Sequence, residues 1–166
     1  MMDAEIAIRR ARAADRPAVE RLLRRLWGSA TIVSRGRVHD ASGLEAFVAL
    51  DRDREIAGLA TFELDRVSCA CELVTLDALR RGAGIGSALL ARAAQEARAR
   101  ACGRLWLITS NDNLDALRFY QRRGMRLVAV HRGALDEARK RKPLIPEIGE
   151  HGIPIHDELE LELSLD

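Results

Sequence analysis

Three glycines at alternate positions, in the run Arg81-Gly82-Ala83-Gly84-Ile85-Gly86-Ser87, stand directly ahead of a long apolar-periodic stretch. This pattern describes a bare backbone loop opening a helix. The first N–H groups of a helix lack intrahelical partners and carry about half a positive charge, so a phosphate or pyrophosphate is a natural occupant of such a loop. The dinucleotide fingerprint G-x-G-x-x-G would need glycine where Ser87 stands, and a Walker loop would need a Gly-Lys-Ser/Thr triplet closing a longer frame. Neither is present. A ligand-free glycine turn between strand and helix is the alternative reading of the loop taken alone.

The frame that is present is R-x-x-G-x-G, Arg81 to Gly86, preceded by the strand-like run Glu72-Leu73-Val74-Thr75-Leu76. A second segment follows about thirty residues on. Arg104-Leu105-Trp106-Leu107-Ile108-Thr109-Ser110 reads as a buried strand, and Asn113 to Met125 as a capped helix ended by Gly124. The two segments, in this order, resemble the acetyl-CoA loop and the N-x-x-A-x-x-x-Y signature of the GCN5-related N-acetyltransferase (GNAT) superfamily. The resemblance covers about residues 5 to 132 and the final strand, and weakens between His131 and Glu158.

The resemblance implies a cofactor site and a chemistry. It assigns acetyl-CoA to Arg81, Gly82, Ala83, Gly84, Ile85, Gly86 and Ser87 for the pyrophosphate, to the main chain of Val74, Thr75 and Leu76, and to Asn113 and Tyr120. It makes Tyr120 the acid for the departing thiolate. Asn113 also suits a helix N-cap, and Tyr120 also suits a core face. An amine cannot attack a thioester while protonated, so a base is needed. Glu72, just ahead of the cofactor strand, is the candidate, and a hairpin-paired or solvated carboxylate is its alternative role. Family members with a glutamate on the later strand have Ile108 as their counterpart here, which leaves the base open; His131 is a second candidate. The implied function is direct acetyl transfer to the amine of a small molecule. A catalytically silent acyl-CoA-binding domain and a protein or peptide N-acetyltransferase are the alternatives.

The remaining sequence fits one domain spanning 1–166. A length of 166 residues suits a single core, and 48% hydrophobic with 31% charged residues is ordinary globular composition. Of 27 basic residues only Lys140 and Lys142 are lysines, leaving 25 arginines against 25 acids for a net charge of +2. The signs are interspersed, which argues against a nucleic-acid partner. The chain has no apolar run of membrane-spanning length and no secretory leader, so no membrane partner and a cytoplasmic location are expected. Cys69, Cys71 and Cys102 form neither a CxxC pair nor a disulfide framework. Cys69 and Cys71 read as small core residues on one face of a strand. His151, His156 and Asp157 lack metal-ligand spacing, so no metal is expected.

The element reading is as follows: a strand from Glu5 to Ala11, a helix from Asp15 to Gly28, and a turn-rich stretch with His39 over Ser29 to Ser42. A hairpin of Leu44–Leu50 and Glu55–Leu64 comes next, then a strand over Ala70–Leu76 and a helix from Gly84 to Ala101. After the Leu105 strand and the Asn113 helix comes a strand from Met125 to Arg132. The last strand alternates clearly, with Leu159, Leu161, Leu163 and Leu165 on one side and Glu158, Glu160, Glu162 and Ser164 on the other. The expected fold is α/β (α+β), an acyl-CoA N-acyltransferase fold with a mixed, mostly antiparallel sheet and helices on both faces. The Leu73 and Leu105 strands should be parallel neighbours that splay to admit the cofactor. Ser29–Ser42 and Ala134–Asp157 are the candidate recognition loops, with Arg35, Arg37 and His39 suited to an anion and Glu147 or Glu150 to a cation. The segment Asp136–Glu150 reads as a short helix and rigid connection that covers the acceptor cleft or forms a homodimer seam.

Overall fold

A computed structural model describes residues 6–166; Glu5, at the start of the expected first strand, lies outside the described residues. Seven strands form one sheet in the order β1-β4-β5-β6-β7-β9-β8. They are β1 (Ala7–Arg10), β4 (Glu45–Leu50), β5 (Ile56–Asp65), β6 (Ala70–Ala78), β7 (Arg104–Ser110), β8 (Arg126–His131) and β9 (Glu158–Ser164). All neighbours pair antiparallel except β6 and β7, which are parallel. A separate hairpin, β2 (Thr31–Ser34) with β3 (Arg37–Asp40), completes the strands.

Helices cover both faces because each strand alternates its apolar residues between two cores. α2 (Ile85–Ala99) presents Leu89, Leu90 and Ala93 to Phe47, Phe62, Leu73, Leu105, Leu107 and Leu161. α3 (Leu114–Gln121) joins this side through Tyr120. On the other face α1 (Arg16–Trp27) packs Val19, Leu22 and Leu23 on Val48, Leu59 and Val74. Each fully buried leucine here contributes about 1.5–3 kcal/mol relative to exposure. α4 (Ala134–Arg141) buries Leu135 and Ala138 against Ile155 on a smaller third cluster. Among the described residues no helix is long and apolar enough to cross a membrane.

Two features depart from the sequence reading. The stretch read as turns between Ser29 and Ser42 is mostly a hairpin, because Arg35 and Gly36 both take positive φ (48° and 74°) and make a two-residue turn whose twist suits paired strands. The β-branched run is short and one-sided, Thr31-Ile32-Val33 on β2 against the single Val38 on β3, so no strand pair was legible. Cys69 is not on the strand: it sits exposed in the β5–β6 turn with φ of 50°, while Cys71 is buried in the core as read.

Candidate active site

The sheet opens at β6 and β7. Their pairing is confined to Ala70↔Arg104, Cys71↔Leu105 and Glu72↔Trp106. Directly after, a bulge at Val74 shifts the register with β5, from Phe62↔Leu73 to Thr61↔Thr75. A bulge bends a strand and raises its twist, so Val74, Thr75 and Leu76 carry the edge of β6 away from β7. Their backbone is left free there to accept an extended ligand arm.

At the end of this opening lies a cavity of about 660 Å³ between the glycine loop and α3, lined by Leu76, Ala78, Gly84, Gly86, Ser87 and Tyr120 among others. Gly84 caps α2 with φ of 73°, a left-handed conformation that costs a side-chain-bearing residue stability, and a Cβ there would meet no other atom within 4 Å. The loop is therefore open in front of the unpaired amides of Ile85, Gly86 and Ser87. Arg80, Arg81, Arg118, Arg122 and Arg123 ring the cavity. Arg81 lies 3.6 Å from Asp115, and Arg123 donates to Ser87 Oγ at 2.8 Å while stacking 3.7 Å over the Phe119 ring. Bare amides, surplus cationic charge and a free strand edge fit the pyrophosphate and amide arm of CoA.

Tyr120 lies at the inner wall of this cavity, 9% exposed and edge-on to Phe119. Burial, and next the charge of Asp77, raise its hydroxyl pKa above the ordinary tyrosine value, so it stays protonated at any physiological pH. Asp77 accepts from Trp27 Nε1 at 3.1 Å and is itself pushed up to about 6 by burial. Asn113 caps α3, its Oδ1 accepting from Ala116 N at 3.1 Å. It lines the neighbouring cavity and not the loop cavity.

That neighbouring cavity, about 310 Å³, sits on the α1 side of the opening. Trp27, Ile32, Val74, Ile108, Leu135 and Ile155 give it apolar walls, and Ser34, Glu72 and Glu158 supply polar groups. Glu72 is 4% exposed; its Oε1 accepts from Ser34 Oγ at 2.6 Å, and its Oε2 has no hydrogen-bond partner. Burial raises its pKa, opposed by the Ser34 bond and by His39 and Arg37. A carboxylate with raised pKa in a cleft suits general-base work. His39, buried on β3, places Nε2 3.6 Å from Glu72 Oε2.

His131 is committed elsewhere, its Nε2 lying 2.8 Å from Glu160 Oε2. Glu160 also accepts from Arg104 at 3.1 Å; burial pushes its pKa up, but these partners outweigh burial and hold it below the usual range. Glu158 is 1% exposed, accepts from Arg35 N at 3.1 Å, and has its pKa raised by burial. The sequence reading missed Glu158 as a cavity-lining residue and Glu160 as the buried partner of His131 and Arg104, and placed His39 in a loop. The alternation of β9 was the available signal, since it puts these acids on one face; the hairpin that buries that face was not legible. His156 pairs with Asp157 at 2.8 Å, and the cluster of metal-ligand type among the described residues is instead His39, Glu63 and Glu72.

A splayed parallel pair beside a glycine loop on a mostly antiparallel sheet defines an acyl-CoA-using transferase architecture. The sequence pattern of the Acetyltransferase (GNAT) family matches residues 12–125, and the chain belongs to that family. It is 40% identical over 139 residues to YxbD, an uncharacterized protein of Bacillus subtilis (strain 168), covering 84% of this chain and 86% of the relative. It is 35% identical over 80 residues to the streptothricin acetyltransferase of Streptomyces lavendulae, covering 47% and 42% of the two chains. Among solved structures, the IAA acetyltransferase from Bacillus cereus ATCC 14579 superposes with a TM-score of 0.73 at 20% identity, covering 96% of this chain and 99% of that one. A GNAT family acetyltransferase from Elizabethkingia anophelis with acetyl-CoA bound gives a TM-score of 0.67 at 18% identity, covering 96% and 97%. Acetyl-CoA is the cofactor of this architecture.

Proposed function

We propose that the protein transfers the acetyl group of acetyl-CoA directly to an amine of a small molecule bound in the 310 Å³ cavity, within a ternary complex in the cytoplasm. The observation that carries this reading is the pair of cavities flanking the β6–β7 opening, with Glu72 lining one and Tyr120 the other. Bound acetyl-CoA supplies an activated acetyl thioester. The amides of Ile85, Gly86 and Ser87 hold its pyrophosphate, and the free edge of β6 at Val74, Thr75 and Leu76 holds its amide arm.

Glu72 takes a proton from the substrate ammonium, directly or through water, and so frees the nitrogen lone pair for attack. Tyr120 gives a proton to the departing sulfur. Because a free thiol has a pKa near 8.5, that donation is worth only about ten- to a hundredfold in rate. The apolar walls of the acceptor cavity disfavour the ammonium form and assist the same deprotonation. The streptothricin acetyltransferase among the relatives supports an amine-bearing small molecule as acceptor. The test is a panel of diverse small amines and of peptides with free N-termini, read by thiol release from acetyl-CoA and by product mass. Turnover with small amines upholds the reading, turnover with peptides alone replaces it with a protein-directed one, and CoA binding without turnover makes the chain a binding domain.

A further inference from the structure

The acceptor cavity changes sign along β2. At the end of the strand, Ser34 Oγ and the next residue's amide, Arg35 N, hold the carboxylates of Glu72 and Glu158, both of which line the cavity. Burial raises the pKa of both, and the charge of Glu72 raises that of Glu158 further, so a cation placed at this end relieves both. At the start of the strand, Thr31 O accepts from Lys142 Nζ at 2.8 Å, and Lys142 lines the same cavity. Ile32 and Val33 supply apolar wall between the two. Three residues of strand at about 3.3 Å each set the ends about 10 Å apart.

Lys142, directly after α4, is the unpaired charge of this site. Its hydrogen bond goes to that carbonyl, and among the described residues no carboxylate pairs with it. An ammonium carries three N–H groups, so two remain to be given. Burial lowers its pKa below the ordinary lysine value, as expected of an ammonium desolvated without a counter-ion. Tying α4 to the hairpin does not require this cation, because Arg141 already donates to Gly36 O of the same hairpin. The other cations near Glu72 are engaged. Glu72 also lines a cleft of about 340 Å³, and there Arg37 pairs with Glu63, Arg104 with Glu160 and Glu162, and Arg35 with Glu160.

We propose that the acceptor is an amino acid, with its amino group at the Glu72 and Glu158 end and its carboxylate held by Lys142 across the apolar middle of the cavity; this rests on the cavity of about 310 Å³ being the acceptor site. Lys142 is then a specificity-determining residue. A substrate with opposite charges at its two ends matches both ends at once. An amine without the carboxylate leaves Lys142 desolvated and unpaired, and a polycation brings a second positive charge against it. The amino nitrogen forms its bond to the acetyl carbon as the thioester C–S bond breaks. An N-acetyl amino acid, the CoA thiol and one proton are the products.

Matched substrates test this. Phenylalanine, leucine and γ-aminobutyrate are each compared with the amine that lacks the carboxylate: phenethylamine, isopentylamine and propylamine. For at least one pair, kcat/KM of the unaltered enzyme should favour the acid by at least tenfold. Lys142→Met should bring that ratio to about one, chiefly through KM for the acid, whereas Lys142→Arg should keep the acid ahead. Amines used as well as the acids, or better, by the unaltered enzyme overturn the amino-acid assignment and leave acetyl transfer to an amine in place; this arm needs no variant to fold. A ratio that survives Lys142→Met in a folded protein overturns Lys142 as the anchor. Acetylation of Lys142 itself, found by mass spectrometry after incubation with acetyl-CoA alone, also overturns it by making the residue an acceptor. Turnover with neither set removes the acceptor reading and this inference with it.

Discussion

Ser34 Oγ donates a 2.6 Å hydrogen bond to Glu72 Oε1, joining the β2–β3 hairpin to the sheet across 38 positions of chain. The bond favours the charged carboxylate and opposes the upward push of burial. Ser34→Ala should therefore raise the Glu72 pKa further. A base works only when deprotonated, so the acid limb of kcat/KM should move to higher pH while the rate on the plateau changes little. The pH–rate profile checks this, and an unmoved limb would detach the limb from Glu72.

Removing the carboxylate tests the base more bluntly. Glu72→Gln keeps shape and the Ser34 contact, and its loss of kcat/KM should be greatest near neutral pH, where the amine enters protonated. Part of the loss should be recovered at high pH, where more amine is already free. A loss independent of pH would point to packing.

Tyr120→Phe retains the ring that packs edge-on to Phe119. It should lower kcat by about ten- to a hundredfold and leave the CoA dissociation constant within a few fold. Because burial and Asp77 raise the hydroxyl pKa above its ordinary value, Tyr120 stays protonated and should impose no fall in activity at alkaline pH below 10. Unchanged turnover with chemistry limiting would leave Tyr120 a structural role.

How far the sequence carried the fold depended on where the information was local. The glycine loop, the Asn113 cap and the β9 alternation are each written within a dozen residues, and the structure places each as read. The parallel β6–β7 pair followed from the strand-helix-strand order. His39 was not legible: its meaning comes from Glu63 and Glu72, which reach it through β5 and β6, and no periodicity links those strands to β3. Glu158 was hidden in the same way, since a glutamate-rich face reads as solvated until the hairpin over it is known.

Gly86 faces α3, and a Cβ there would come within 3.2 Å of Phe119 Cζ. Valine would force the ring aside, and with it Arg123, which stacks on that ring and reaches Ser87. Gly86→Val should weaken CoA binding at least tenfold, or about 1.4 kcal/mol. At Gly84 the obstacle is φ, and even alanine should cost stability of about 1 kcal/mol. Calorimetric titration with CoA on folded variants is the measurement; an unchanged constant for Gly86→Val would remove the loop from the site.

Asp77 makes stability depend on pH in a stated direction. Its pKa rises from 3.8 to about 6 in the fold because of burial, with the Trp27 bond opposing. The folded state then holds the proton more tightly than the unfolded chain, so the contribution is present below about pH 4 and lost as pH rises through about 6. Asp77→Asn should be more stable than the parent above pH 6, by at most about 3 kcal/mol before discounting its partial exposure, and equal to it below pH 4. Thermal melts at pH 4 and pH 7.5 compare the two.

Leu144 separates acceptor recognition from folding. It lies in the segment after α4 that the sequence marked as a recognition loop, it is 65% exposed, and it lines the acceptor cavity beside Ile145 and Pro146. The segment is held by Arg139, which donates to the carbonyls of Ile145, Pro146 and Ile155 at 2.8–3.0 Å, and by Asp112, which accepts from Glu150 N at 2.8 Å. Truncating so exposed a side chain should change stability by no more than about 0.5 kcal/mol. Leu144→Ala should nonetheless raise KM for the amine several-fold, with kcat and the CoA dissociation constant nearly constant, because only one wall of the acceptor cavity is altered. Replacing Pro143 to His151 by a glycine linker should enlarge the same effect in a protein whose circular dichroism is intact. If both changes leave amine kinetics untouched and only the sedimentation coefficient moves, the segment serves assembly and the acceptor is bound by other walls of the opening.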